Sequence, residues 1–330
     1  MMTDGPQSDP GESSGAFPAR AHLPRAHLPY ALWALVAGAV ALGFSPILVR
    51  LADVGPSAVG FWRMALPLPL FFWMAAAHRR RSGVATPVSR RDKAVLLLAG
   101  AFFAGDLALW HWSLGFTTVA NSTLLANLTP IVVALGSVLL FRERLTPMFL
   151  GGLLMAIAGA ALLSGTSARL GPDNLFGDGL AMCAALFYGS YILTVGRLRA
   201  RHSTAHIMAW TGLVTAILLI PVSLAAGETF VPASLDGWLA VIALGFVTQA
   251  LGQGLIAWAL AHLAAHFSAV TLLLQPVIAA AAAWVLFGEQ LGTWNIAGAL
   301  IVLTGIVVAR LGTARPRGNG PVAEAEKTGA

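Results

Sequence analysis

Apolar residues run through this sequence in long stretches separated by short polar links. A helix that spans a bilayer needs about 20 mostly apolar residues, and roughly ten such windows can be drawn along the chain. They fall at about 30–52, 56–77, 94–115, 117–141, 147–165, 177–196, 207–226, 237–260, 267–287 and 293–311. The pattern therefore predicts an all-α integral membrane protein with ten transmembrane helices.

The composition indicates that lipid is the solvent. Hydrophobic residues make up 57% of the 330 positions and charged residues only 10%, whereas a soluble domain carries about 25% charged residues. The single cysteine, Cys183, lies inside an apolar window, so we expect a buried and inert thiol. Residues 1–28 lack the apolar core of a signal peptide, and we expect them and residues 312–330 to be disordered cytoplasmic tails.

The chain contains one stretch twice. Residues 102–161 align without a gap on residues 248–307 after a shift of 146 positions, and fifteen of the sixty positions are identical. The matched pairs include Trp112 with Trp258, Pro130 with Pro276, Glu143 with Glu289, Gly152 with Gly298, and Gly159 with Gly305. We therefore expect two five-helix repeats, at 29–165 and 166–311. Because five is an odd number, the second repeat would enter the membrane from the opposite side, as in inverted-repeat transporters.

Basic residues set the orientation. With the N-terminus inside, 17 of the 20 Lys and Arg residues lie on the inner side. The positive-inside rule then places both termini in the cytoplasm, in a multi-pass protein of the cytoplasmic (inner) membrane. The net charge of +6 is explained by this distribution, and we expect no nucleic-acid partner.

Two related segments carry a resemblance to a known family. They are LTPIVVALGSVLLFRERLTPMFLGGLL, which begins at Leu128, and LLQPVIAAAAAWVLFGEQLGTWNIAGALI, which begins at Leu273. Both resemble the paired EamA domains of the drug/metabolite transporter superfamily, and Arg63 resembles the arginine of the family's second helix. The second copy departs from this pattern, because it has no arginine between Ile207 and Ala226. The resemblance implies a ten-helix carrier driven by protons or another gradient, often an exporter of amino acids or other metabolites.

Asp106 is the only carboxylate in the middle of an apolar window. A central Asp costs roughly 2.5–3.5 kcal/mol on insertion scales, so it should face the bundle interior or a wet cavity. It could bind a substrate amine or a proton, or it could be a neutral carboxyl that ties helices together. Trp110 lies four residues later on the same helical face and could line a cavity or pack. His111, five residues after Asp106, should point away from it.

Other polar residues inside apolar windows either join helices or line a pocket. The candidates for substrate or proton binding on the remaining helices are Asn121, Asn127, Tyr188, Gln249, Gln253, Trp258, Thr271 and Gln275. Pro130 and Pro276 each remove a helix hydrogen bond, and they should bend their helices where the cavity lies. Glycines in the fifth and tenth helices are expected to form close-packing faces.

The helix ends carry charged residues for which we expect structural roles. Glu143 and Glu289 close the fourth and ninth helices, and we expect ion pairing or capping there, with Arg142 or Arg144 beside Glu143. The pairs His202 with His206 and His262 with His266 are spaced four residues apart but have no further ligand at metal-binding spacing. We expect solvated histidines and no metal or cofactor.

The absence of certain motifs narrows the function. There is no phosphate-binding loop for ATP and no HExxH or Gly-x-Ser-x-Gly hydrolase motif. The prediction is a secondary active transporter that exports a small, amino-acid-like metabolite by alternating access, with protons as a possible coupling partner. An importer of a vitamin or nucleoside-like solute is the alternative within this class. A passive channel and a membrane-embedded enzyme are the alternatives of other classes, and homodimer formation stays open.

Overall fold

The computed structural model describes residues 28–82, 89–113, 115–117, 119–164, 174–287 and 292–313, and every regular element within them is helical. The first part of the chain contains α1 (Leu28–Gly43), α2 (Ser45–Leu51), α3 (Pro56–Ala65), α4 (Leu68–Ser82), α5 (Arg90–Ser113), α6 (Val119–Ala126), α7 (Thr129–Phe141) and α8 (Pro147–Ser164). The second contains α9 (Leu175–Leu198), α10 (Thr204–Ala225), α11 (Leu235–Ala243), a π-helix (Leu244–Gln253), α12 (Gly254–Ala259), α13 (Ala265–Thr271), α14 (Leu274–Phe287) and α15 (Thr293–Gly312). Glu289 and nearly all of both tails lie outside the described residues.

Nine helical segments among the described residues are long and apolar enough to cross a membrane. They are Leu28–Leu51, Pro56–Arg81, Arg90–Ser113, Asn121–Phe141, Leu175–Leu198, Thr204–Ala225, Leu235–Ala259, Ala265–Leu286 and Thr293–Gly312. A shorter apolar helix covers Pro147–Leu163. All ten fall on the windows that the sequence pattern predicts, and they support a multi-pass membrane protein.

Helix breaks recur near prolines. One lies between α6 and α7, just before Pro130, and another lies between α13 and α14, just before Pro276. A proline has no backbone N–H and its ring crowds the preceding turn, so an α-helix is readily interrupted there. Since a shift of 146 positions relates the two prolines, the breaks occupy corresponding places in the two repeats of the sequence.

A seam of glycines joins α8 to α15. A methyl group built on Gly152 would lie 2.7 Å from the carbonyl oxygen of Gly305, and one on Gly159 would lie 2.8 Å from that of Gly298. Such separations do not occur between real atoms of these types, so the backbones touch and only glycine fits. The contacts run in opposite chain directions, and α8 and α15 are therefore antiparallel. We call these four glycines the glycine seam.

The polar ends of several helices are tied across the chain. The Thr146 hydroxyl accepts a hydrogen bond from the Phe149 amide at 3.1 Å, so it caps α8 as an N-cap residue. His266 contacts Glu143 at 2.8 Å, and His202 contacts Asp92 at 3.5 Å. His202 and His266 are both buried, so the expectation of solvated side chains was wrong for these two histidines. Each is covered because it packs against a carboxylate on another helix end.

A second junction, which we call the loop junction, joins residues 52–58 to residues 223–234. The Glu228 carboxylate accepts hydrogen bonds from the Ser57 and Ala58 amides at 3.2 and 3.0 Å, at the N-terminus of α3. The Asp53 carboxylate accepts from the Ala233 and Ser234 amides at 3.1 and 2.7 Å, just before α11. Hydrogen bonding to the Ser234 side chain, followed by that to backbone amides, holds the pKa of Asp53 below its ordinary value.

The expected burial of Cys183 was also wrong, because its side chain is exposed on the outside of α9. In a membrane-spanning helix that face meets lipid, which is as apolar as a protein core. An apolar window therefore does not distinguish a packed position from a lipid-facing one.

Candidate functional site

Arg63 on α3 is a buried cation within a membrane-spanning segment, with only 8% of its surface exposed. One guanidinium nitrogen donates to the Ser45 hydroxyl on α2 at 3.2 Å. Its Nε atom is buried and has no hydrogen-bond partner. A buried charge is strongly disfavoured unless it is paired, so this arginine has unused capacity to bind an anion.

Asp106 on α5 is the charged group that faces this arginine through the bundle interior. The two side chains interact electrostatically, but their charged atoms are farther apart than the 4.0 Å that defines an ion pair. Asp106 is half-buried. The guanidinium and the carboxylate therefore face the same interior without forming an ion pair.

Two tyrosines of α9 stand beside these charges. The Tyr191 ring stacks on Phe103 of α5, with centroids 4.4 Å apart and planes at 12°. Both Tyr188 and Tyr191 lie near Arg63 and Asp106. The Tyr191 hydroxyl is buried without a hydrogen-bond partner. The aromatic stack thus fixes a hydroxyl in the interior, near the side chains of Gln253 and Thr211.

The π-helix supplies two amides to the same interior. Gln249 and Gln253 are each 2% exposed. The Gln253 carbonyl oxygen lies 3.4 Å from the Tyr188 hydroxyl, which donates to it, while the Gln249 side-chain oxygen has no partner. π-Helical turns are often found at functional sites because they widen the helix locally. Here the widened segment carries both glutamines.

The structure brings together five side chains, which we call the central cluster: Arg63, Asp106, Tyr188, Tyr191 and Gln253. Four of them were singled out from the sequence, although Arg63 was assigned a structural role. Tyr191 was not among the predicted site residues. Its position three residues after Tyr188, on the same helical face, was the signal that could have found it.

The two predicted asparagines of the fourth span lie in different settings. Asn121 donates to the Asp178 carboxylate at 3.2 Å, and Thr117 donates to the same group at 2.6 Å. Asn121 therefore ties α6 to α9. Asn127 lies at the break between α6 and α7, and its amide nitrogen is buried without a partner. Asp178 was missed because it lies near a helix end, where a carboxylate usually meets water.

The remaining predicted residues lie around these groups. His111 is buried, its ring is 5.0 Å from that of half-buried Trp110, and its Nδ1 atom has no partner. The Thr271 hydroxyl donates to the Phe267 carbonyl at 3.1 Å within α13. Gln275 is half-buried just after the α13–α14 break.

The Trp258 ring lies 4.4 Å from the ring of His262. Among the described residues, no hydrogen bond, ion pair or ring contact joins Trp258, Thr271 or Gln275 to the central cluster.

The fold and the site define a class: a multi-pass membrane protein with a polar, charged interior. The EamA-like transporter family matches residues 29–165 and again 175–311, and the chain belongs to that family.

The chain is 26% identical over 256 residues to the pseudopaline exporter CntI of Pseudomonas aeruginosa, covering 78% of this chain and 86% of that protein. It is 24% identical over 282 residues to a protein of Streptantibioticus cattleyicolor named as a probable terminal-alkyne amino-acid exporter, covering 84% and 92%. A crystal structure shares the fold, with a TM-score of 0.71 at 21% identity, over 86% of this chain and 98% of the other.

Proposed function

We propose that this protein is a secondary active transporter that exports a small amino-acid-like metabolite across the cytoplasmic membrane by alternating access. The observation that carries the proposal is the pair of opposed, unjoined charges in the interior, Arg63 and Asp106. The family membership and the exporter names of two relatives support a transporter rather than an enzyme.

The central cluster suits a zwitterion. A substrate carboxylate would accept hydrogen bonds from Arg63, whose Nε lacks a partner, and such charge-assisted bonds are stronger than neutral ones. A substrate ammonium group would lie against Asp106. The Gln249 side-chain oxygen offers a further polar atom without a partner. An amino acid would thereby satisfy groups that the protein alone leaves unpaired.

Asp106 is also our candidate for proton coupling. A half-buried carboxyl group that faces a positive charge can exchange a proton for a bound ammonium group, so uptake of one would release the other. Export of substrate would then be coupled to proton entry. His111, which lies beside Trp110 and near Arg63, is a second candidate for proton binding.

We propose that residues 29–165 and 166–311 are inverted repeats of five spans each, with α8 as the tenth span. The 18 residues of α8 extend about 27 Å at 1.5 Å per residue, close to the ~30 Å hydrocarbon core. The antiparallel seam supports inversion, because Gly152 and Gly159 contact each other's counterparts, Gly305 and Gly298. Two inverted halves can exchange their conformations, and the exchange moves the opening to the other face.

We place both termini in the cytoplasm, because the basic residues then lie mostly on the inner side. The loop junction then lies on the outer face and joins the first repeat to the second there. The C-terminal end of α7 and the N-terminal end of α13 lie on the inner face, where Glu143 contacts His266.

The decisive experiment is counterflow in proteoliposomes with a panel of amino acids and related zwitterions. Saturable counterflow of an amino acid, lost in Arg63→Ala, is the expected result. Uptake that does not saturate would indicate a channel, and chemical turnover in detergent without a gradient would indicate an enzyme. Counterflow restricted to vitamins or nucleosides would overturn the assignment of an amino-acid-like substrate.

A further inference from the structure

A groove away from the central cluster opens on the side of the bundle where α4 ends and α5 and α10 begin. Its volume is about 760 Å³, within the usual range for small-molecule sites. α10 packs against both α4 and α5, so it forms the floor, and the other two helices form the walls.

The walls of the groove are apolar and reach toward lipid. Phe72 on the α4 wall packs edge to face on Trp210 of the floor, with centroids 5.9 Å apart, and the two residues are 37% and 41% exposed. Leu97 on the opposite wall is 54% exposed. Exposed apolar side chains at the level of a membrane-spanning helix contact acyl chains. The lining of the groove is therefore apolar along most of its length and suits a hydrocarbon chain.

The rim of the groove is basic. Arg79, Lys93 and Arg201 line it, together with His78, His202 and His206. The carboxylate of Asp92 is the acidic group at this rim, and it lies 3.9 Å from Arg201 and 3.5 Å from His202. Arg201 keeps 58% of its side chain exposed in spite of that contact.

The net charge of the groove rim is therefore positive even when Asp92 is included. The Nε2 atom of His206 is buried at the groove without a hydrogen-bond partner. The N-terminal ends of α5 and α10 also open at this rim, and helix N-termini favour anions.

We propose that this groove binds one anionic phospholipid, with its phosphate at the basic rim and an acyl chain between Phe72, Leu97 and Trp210. A basic pocket between transmembrane helices is a recognised way to hold an anionic headgroup. A soluble phosphate fits less well, because it would leave the apolar walls uncovered. The bound lipid would stabilise the positions of α4 and α5, which contact each other less than each contacts α10.

The test is native mass spectrometry of the detergent-solubilised full chain titrated with phosphatidylglycerol or phosphatidylcholine. Phosphatidylglycerol should bind more tightly. The variant Lys93→Gln/Arg201→Gln should weaken its binding about 25-fold, since each basic residue near a membrane surface contributes roughly fivefold. The matched control is Arg90→Gln/Arg91→Gln, which removes the same charge from exposed positions that do not line the groove. It should bind like the unaltered protein.

Equal binding of the two lipids, or equal losses in the two double variants, would overturn the proposal. So would displacement of the lipid by inorganic phosphate alone, which would indicate a soluble-anion site. If the first double variant does not fold, Ala76→Phe fills the groove without changing charge. It should also abolish the preference for phosphatidylglycerol, and retention of that preference in the folded variant would contradict the assignment.

Discussion

The two repeats of this protein share a scaffold and differ in chemistry. Both have a broken helix just before a matched proline, and both contribute a glycine-bearing helix to the seam. Among the described residues, the charges in the middle of membrane-spanning segments belong to the first repeat: buried Arg63 on α3 and half-buried Asp106 on α5. At the position matched to Asp106 the second repeat has Gly252, within a π-helix rather than an α-helix, and α10 contains no arginine.

The difference separates two requirements of a transporter. Two copies of one scaffold can exchange their conformations. A site that binds a polar substrate in one defined orientation, by contrast, needs different groups on its two sides. The first repeat provides charge, and the second provides the amides of Gln249 and Gln253. We expect changes in charge to affect binding and changes in the shared scaffold to affect folding.

The largest effect should come from Arg63→Ala. Removing one partner of a buried charged interaction costs about 2–5 kcal/mol, so substrate affinity should fall about thirtyfold or more in proteoliposome counterflow. Arg63→Lys is the control and should retain part of the activity, because it keeps the charge but loses the forked geometry. Full activity of a folded alanine variant would place the substrate elsewhere.

Asp106→Asn tests the negative charge of the pair. Transport by this variant should no longer respond to a pH gradient, because an amide cannot carry the proton, while folding should be preserved. Moving the carboxylate to the matched place, with Gly252→Asp, should destabilise the protein. A Cβ atom there would lie 3.2 Å from Ala41 and 3.3 Å from the Gly38 carbonyl oxygen. Unchanged pH dependence in Asp106→Asn would exclude this residue from coupling.

Gly159→Leu and Gly305→Leu probe the shared scaffold. Each should destabilise the protein by at least about 1–3 kcal/mol, the usual cost of overpacking, because backbone atoms of the opposite helix occupy the space. Thermal unfolding in detergent would measure both, and the matched seam contacts predict similar losses. Gly151→Leu on the same helix is the control, since nothing lies within 4 Å of a methyl group there. A loss as large in the control would remove the packing argument.

Asn121→Ala should have a smaller effect, because it removes one contact between α6 and α9. It removes a hydrogen bond to Asp178 and should lower stability by about 1 kcal/mol, without a change in substrate affinity. Thermal unfolding and counterflow together separate the two. A fall in affinity with unchanged stability would return Asn121 to the substrate site.

The smallest effect concerns pH at the loop junction. The pKa of Asp53 is lowered in the folded state, so its contribution to stability is present above the unfolded value of about 3.9. That contribution is lost as the pH falls through the folded value. Asp53→Asn should therefore show a flatter decline in melting temperature below about pH 4. An identical acid profile in the variant would mean that the junction does not depend on this carboxylate.

Sequence pattern located the helices well, because a membrane-spanning segment is marked by length and apolarity alone. It also identified the glycine faces of α8 and α15, and it named four of the five residues of the central cluster, whose role in binding stays a prediction. It did not predict that Cys183 lies on the outside of α9. It also did not predict that His202 and His266 are buried against acidic partners. Lipid and protein interior select the same side chains, and a helix-end histidine finds its partner only through the tertiary packing that follows.

The glycine seam bears on the ancestry of the chain. Each glycine meets the partner that a two-fold rotation would give it, which is the rule of an isologous contact between identical subunits. A single five-helix polypeptide, inserted in both orientations, could have formed the same contact as a dimer before duplication joined the copies. The seam would then be the oldest interface in the molecule, and the charged side chains of one copy a later specialisation.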